Sequence, residues 1–312
     1  MALSRRIGST TGGVSTSFYT DLKHTPGKVS QPDDALFYFM VRGKAVKDNI
    51  PELFDIFQDI LFNANLKENK KRALEILKET KVRSETSIIS NGHSFAATRL
   101  AAPNSLQGYF SEMTGGLTYV RALGELIQQA ESDWEGFGKR LDRMRDSIVR
   151  RSGYVINLTA DKSTTDSALT PVNSFLDSLP SGATPTNGKP YSSWDRSVFK
   201  SQTNEGFSMP SQVNYVVKGA SVLKPGDEVN GAYSVVSSFL SKGLLWNKVR
   251  VMGGAYGGFA RFGESSGRFT FMSYRDPNLS KTLDVYDSAP EFLKTTEISD
   301  EDILQTIIGC TG

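Results

Sequence analysis

Hydrophobic and polar positions along this 312-residue chain alternate between two rhythms, one of period two and one of period 3.6. Val14 to Thr20 reads as a strand, and Leu22 to Asp34 as a loop. Ala35-Leu36-Phe37-Tyr38-Phe39-Met40-Val41 has the near-continuous apolar run of a strand buried on both faces. Pro51 then opens a helix in which Leu53, Ile56, Phe57, Ile60 and Leu61 fall at i, i+3, i+4, i+7 and i+8. A second helix is expected from Lys67 to Val82 with Leu74 and Leu77 inward. It continues from Ser84 to Leu100 with a break at Asn91-Gly92. Beyond Gly115-Gly116 a long helical region carries Trp134, Phe137, Leu141, Met144 and Ile148 on one face as a core stripe. Tyr154 to Thr159 reads as a strand. Ser163-Thr164-Thr165-Asp166 reads as a capping box opening a helix that reaches Leu179.

The pattern then lapses. Residues 181–210 are rich in Pro, Ser, Thr, Asn and Gly and keep no hydrophobic period, as a linker or long loop would. It resumes with a strand at Gln212 to Val217 and a helix from Ala232 to Trp246. Short strand candidates follow at Val249 to Val251 and Arg268 to Tyr274. Asp276-Pro277 is placed to open a helix carrying Leu279, Leu283 and Tyr286. Ser299-Asp300-Glu301-Asp302 opens a last one, with acids at its positive end. The fold class is α+β, divided as residues 1–180, the linker 181–210, and a shorter unit 211–312 that ends without a returning strand.

Composition narrows the function classes. Hydrophobic residues make up 38% and charged residues 22%, the balance of a globular chain. Thirty-six basic against 34 acidic residues leave a net charge of +2 and no basic stripe, so nucleic acid is not an expected partner. No apolar run is long enough to span a membrane. The opening Met1-Ala2-Leu3-Ser4-Arg5-Arg6 has the Arg and Ser of a transit peptide, but Gly8, Gly12 and Gly13 interrupt any amphipathic continuation. The single cysteine, Cys310, forms no internal disulfide. The two histidines, His24 and His93, have no metal-ligand neighbour at helical spacing. Both read as loop or helix-start surface.

The densest chemistry sits at Gly253-Gly254-Ala255-Tyr256-Gly257-Gly258. Glycine pairs permit positive φ and close approach of another chain. Arg250 is expected to leave its strand on the side opposite Val249 and Val251, and Tyr256 follows six residues later. Two readings stay open from the residues alone. Arg250 and Tyr256 are hydrogen-bond donors to a carbonyl or oxyanion, or the stretch is a tight turn with a buried aromatic and a surface arginine.

The segment from Val249 to Phe259, followed by Phe271-Met272-Ser273-Tyr274-Arg275-Asp276-Pro277-Asn278, resembles the presequence protease family. That family is a branch of the pitrilysin and insulin-degrading-enzyme superfamily of inverted-motif zinc metallopeptidases. Thr11 to Val14, Val41 to Lys44, Met113 to Leu117, Asp133 to Gly136, Asn157 to Asp161, Gln212 to Val216 and Lys281 to Asp287 extend the likeness over nearly the whole chain. The resemblance implies a clamshell of related sheet-plus-helix domains closing over an unfolded peptide. This chain would span the third domain, incomplete at its start, and the fourth, incomplete at its end. The inverted zinc motif, H-x-x-E-H, is absent from this sequence. Zinc is therefore expected in the complete enzyme on ligands outside this chain, which alone should be inactive.

The implied partners are unstructured peptides, such as cleaved targeting presequences, and a zinc-bearing amino-terminal half. The implied setting is the mitochondrial matrix or plastid stroma. The family's fourth domain contributes an Arg and, six residues on, a Tyr to the active site, and these match Arg250 and Tyr256. Tyr274 and Arg275 lie in the matched segment but are not assigned to the site, Arg275 being read as a brace for the following helix cap. The alternative is a catalytically silent chain that binds peptides or docks to a zinc-bearing partner.

Overall fold

The computed structural model describes residues 2–65, 68–150, 153–180, 199 and 204–311. Most of the expected linker at 181–210, and Lys67 at the expected start of the second helix, lie outside the described residues. The architecture is α+β, with helices and small antiparallel sheets. Two compact units divide the chain, each gathering three separate stretches: 1–19, 37–78 and 125–189 in the first, and 20–36, 79–124 and 190–312 in the second.

In the first unit, helix α1 (Ala2–Thr10) is tied to α2 (Ile50–Gln58) by Arg6, whose guanidinium pairs with Glu52 and with Asp59. Pro51 sits in the first turn of α2, where its missing N–H costs nothing. Helix α2 continues through one π turn, Asp59–Asn63, so that Phe54 and Leu61 both face inward. Val149, Val172, Phe175 and Leu179 complete that core, the middle two from a helix at Lys162–Ser178.

The cap of that helix lies earlier than the Ser163 box predicts. Asp161 is the N-cap, its carboxylate accepting the Thr164 N–H at 3.0 Å. Strands β1 (Val14–Leu22) and β2 (Ala35–Gly43) pair as a two-stranded ribbon. Contrary to the expectation of burial on both faces, Tyr38 and Phe39 are exposed, because a two-stranded ribbon has too little cover for its apolar run.

Two further expectations need correcting here. Tyr154 to Thr159 is extended, and Tyr154, Ile156 and Leu158 alternate onto the core, yet no ladder forms among the described residues. Period two reports an extended segment with one face packed; it does not supply a partner strand. The stripe on the helix Trp134–Ile148 is buried at Phe137 but 56% exposed at Met144, so its second half is not core.

In the second unit, a helix running Lys70–Ala101 departs from helical geometry at Asn91 (φ −131°, ψ 30°), at the expected break. The next helix, Leu106–Gly115, carries the fully buried Glu112. Its carboxylate accepts from the Thr118 N–H (2.9 Å), the Thr118 hydroxyl (2.8 Å) and Arg99 Nη1 (3.3 Å). Arg99 also donates through Nε and Nη2 to Glu205, at 2.8 and 2.7 Å.

A three-stranded antiparallel sheet of order β3-β5-β4 follows, with β3 at Val217–Ser221, β4 at Gly257–Gly263 and β5 at Arg268–Tyr274. β3 begins later than Gln212, since Asn214 pairs only locally with Asp276. β5 is where the alternation of Phe269 and Phe271 places it. β4 was hidden by its glycines.

A helix from Ala232 to Leu240 does not end at Trp246. It runs on as a π-helix, Ser241–Val251, so Val249-Arg250-Val251 is helical and not a strand. Three residues cannot fix a period, and Leu240, Leu244, Leu245 and Val249 instead line one buried helical face. Gly258 lets β4 lie directly on that face. A Cβ there would stand 3.1 Å from Leu245 Cβ and 3.2 Å from Val249 Cβ.

Candidate peptide-carbonyl site on the π-helix and its glycine loop

Arg250 occupies the last turn of the π-helix, and its guanidinium stacks 3.9 Å from the centroid of the Trp246 ring. The chain then turns through Met252 to Tyr256. The Gly254 N–H donates to the Arg250 carbonyl (3.0 Å) and the Ala255 N–H to the Val249 carbonyl (3.1 Å). Gly254 has φ +80°, a conformation that glycine adopts without strain. This short return brings the two predicted residues together: Arg250, Val251, Gly254, Ala255 and Tyr256 line one open cavity of about 470 Å³. Tyr256 is 68% exposed, so it is not the buried aromatic of a tight turn. Its backbone N–H donates to the Tyr274 carbonyl at 3.0 Å, the last hydrogen bond before β4 pairs with β5. A guanidinium and a phenol facing one open cavity can both donate to a carbonyl oxygen.

Residues 274–278 brace this loop from behind. Asn278 Nδ2 donates to the Gly253 carbonyl at 2.7 Å. Asp276 is fully buried, its carboxylate accepting the Asn278 N–H (2.8 Å) and the Thr282 hydroxyl (2.7 Å). It is thus a buried organiser, and the helix beyond, Ser280–Asp287, is capped at Leu279.

Between Tyr274 and Asp276, Arg275 adopts φ +48° and is the one non-glycine residue with positive φ among those described. Its guanidinium lies 5.7 Å from the Tyr256 ring centroid and 5.6 Å from that of Tyr274. Tyr274 electrostatically, then a hydrogen bond with Tyr215, push the Arg275 pKa above its ordinary value. Nothing in the sequence signals this role, since an arginine before Asp-Pro gives no hint of a left-handed backbone.

His93 is the second correction at this site. It lies inside the helix Lys70–Ala101, not on a surface loop, with its ring stacked on Tyr215 (6.0 Å) and edge-on to Tyr274 (5.1 Å). Burial first, then the charge of Arg261, hold its pKa below the usual imidazole value, and its buried Nδ1 has no hydrogen-bond partner among the described residues. Tyr215 is anchored in turn by its hydroxyl, which donates to the Ile89 carbonyl at 2.6 Å. His24 is exposed, as expected.

A metal does not fit the donors on hand. No three His, Cys, Asp or Glu side chains come together as a metal site among the described residues. No helix among them is long and apolar enough to cross a membrane.

Comparison with known proteins accounts for both ends of the chain. The family profile for the associated region of metallopeptidase family 16, subfamily C, matches residues 1–126, and that described as PreP C-terminal domain matches residues 204–312. Presequence protease 1, chloroplastic/mitochondrial, of Arabidopsis thaliana is 36% identical over 310 residues, covering 99% of this chain and 28% of that protein. Protein HypA of Clostridium perfringens is 27% identical over 98% of the chain and 30% of its own length. The mitochondrial presequence protease of Yarrowia lipolytica is 29% identical over 96% of the chain and 29% of its own length. The chain thus spans under a third of the length of these relatives. With two matching profiles and likeness along nearly its whole length, the chain belongs to the presequence protease family of peptidases.

Proposed function

We propose that this chain supplies substrate contacts to a peptidase active site, with Arg250 and Tyr256 donating hydrogen bonds to the scissile carbonyl of a bound peptide and to the oxyanion that forms from it. The observation that carries this reading is their convergence on one open cavity, Arg250 held against Trp246 and Tyr256 largely exposed. Donors fixed before reaction stabilise developing negative charge without having to reorganise. The substrates are short unstructured peptides such as cleaved presequences, a reading supported by the names of the relatives. The same names support a mitochondrial or plastid setting. The metal, expected to be zinc, and the general base belong to an amino-terminal half, so this chain alone does not hydrolyse peptides.

The test is peptide hydrolysis by this chain mixed with a separately produced zinc-bearing amino-terminal half. Activity is expected only in the mixture, and Arg250→Ala or Tyr256→Phe should lower it by about a hundredfold, the effect of losing one oxyanion donor. A folded, inactive mixture would favour the silent peptide-binding role. Hydrolysis by the chain alone would overturn the assignment of the missing groups.

A further inference from the structure

We propose that Arg275 is a positioning residue for Tyr256: its left-handed backbone carries the guanidinium over the Tyr256 ring and holds the phenol at the cavity wall. This rests on the reading of Tyr256 as a substrate contact, and extends it to a residue outside the cavity lining.

The reasoning begins with what Tyr256 lacks. Its ring is 68% exposed, so burial does little to select its rotamer. The glycines on both sides, Gly254 and Gly257, leave the local backbone permissive. The backbone is fixed by the hydrogen bond from the Tyr256 N–H to the Tyr274 carbonyl, which places the residue but not its side chain. The charged group over its ring, at 5.7 Å, is Arg275. A guanidinium at that distance from a ring centroid is attracted to the ring's electron-rich face.

Arg275 can reach this position because the chain does something unusual there. At φ +48° its backbone is in the region that side chains other than Gly, Asn and Asp seldom occupy. A residue in that conformation persists only where its surroundings over-determine it. The surroundings here are explicit. Asn214 and Asp276 exchange backbone hydrogen bonds (2.7 and 2.9 Å), and the buried Asp276 carboxylate holds Asn278 and Thr282. The residue before is clamped too, since Tyr274 sits in β5 opposite Gly257 and its ring contacts His93 and Tyr215. With both neighbours fixed, the side chain of Arg275 is aimed across the Tyr274 ring toward Tyr256. Its planar guanidinium can face two rings at once, which a lysine ammonium does not reproduce.

The test uses this chain with 13C-labelled tyrosine and follows the Tyr256 ring signal by NMR, assigned by its loss in Tyr256→Phe. Arg275→Asn removes the guanidinium while keeping a residue that tolerates positive φ, and Arg275→Lys keeps the charge but not the plane. In the native chain the Tyr256 ring signal should differ from that of an exposed, freely rotating tyrosine. In Arg275→Asn it should collapse to the free value, with Arg275→Lys intermediate and the buried Tyr286 signal unmoved as a control for folding. An unmoved Tyr256 signal in a folded Arg275→Asn chain would overturn the proposal. In the reconstituted enzyme, Arg275→Asn should lower kcat roughly tenfold with little change in KM. The ring signal decides the positioning role, whereas an unaltered rate in Tyr256→Phe would count against the substrate-contact reading alone.

Discussion

The Arg250 guanidinium rests 3.9 Å from the centre of the Trp246 ring, four residues earlier on the same helix. An arginine on an open surface is otherwise free to sample many rotamers, and ordering it on binding costs free energy. The indole face removes part of that cost in advance.

Trp246→Ala should therefore weaken catalysis without touching substrate. Cation–ring contacts at exposed sites are worth about 0.5–1 kcal/mol, so a loss of roughly two- to fivefold in kcat/KM is expected in the reconstituted enzyme. Trp246→Phe should recover part of it. Equal rates for all three would mean that the stack does not orient Arg250.

Glu112 predicts a stability effect far from the cavity. Its fully buried carboxylate serves Thr118 and Arg99, and Arg99 also holds Glu205. Glu112→Ala leaves a largely buried arginine with one carboxylate partner and strips two donors on Thr118. Removing one member of such a buried pair costs on the order of 3 kcal/mol. Urea unfolding should show that loss, with Glu112→Gln milder because the amide oxygen still accepts. A loss well under 1 kcal/mol for Glu112→Ala would show that water replaces the carboxylate.

His93 predicts a pH dependence. Burial and Arg261 hold its folded-state pKa below the ordinary 6.5, so the unfolded chain binds the proton more tightly than the folded one. The neutral ring's contribution is fully present above about pH 6.5 and is lost as pH falls through that value toward the lower folded pKa. The melting temperature should therefore decline between about pH 7.5 and 5.5, and His93→Phe should flatten that slope. An unchanged slope in the variant would assign the decline to other groups.

What could be read from the residues alone divides along a physical line. The helix from Pro51, the break at Asn91 and strand β5 were legible because each rests on local rhythm or on one conformationally special residue. Arg250 and Tyr256 were singled out by residue type, glycine context and family resemblance, yet on a wrong local picture, since the strand expected at Val249 to Val251 is the end of a π-helix. The widened turns of that helix are set by packing against β4, whose glycines carry no hydrophobic signal. Arg275 and His93 were missed for the same reason. Their roles come from contacts with residues distant in sequence, Tyr256 and Tyr274 among them, and no spacing rule encodes such contacts.

The interleaving of the two compact units bears on how the chain is made. Residues 20–36 and 79–124 belong with 190–312, while 1–19 and 37–78 belong with 125–189. A ribosome delivering the chain in order releases the first unit's early stretches long before its last one, and the second unit stays incomplete until the final helix has emerged. Neither unit can finish while the other is still to be made, and no single cut through the polypeptide separates them. Nascent chains paused anywhere before about residue 189 would expose apolar faces such as that of Phe54 and Leu61, and would depend on chaperones until synthesis resumed.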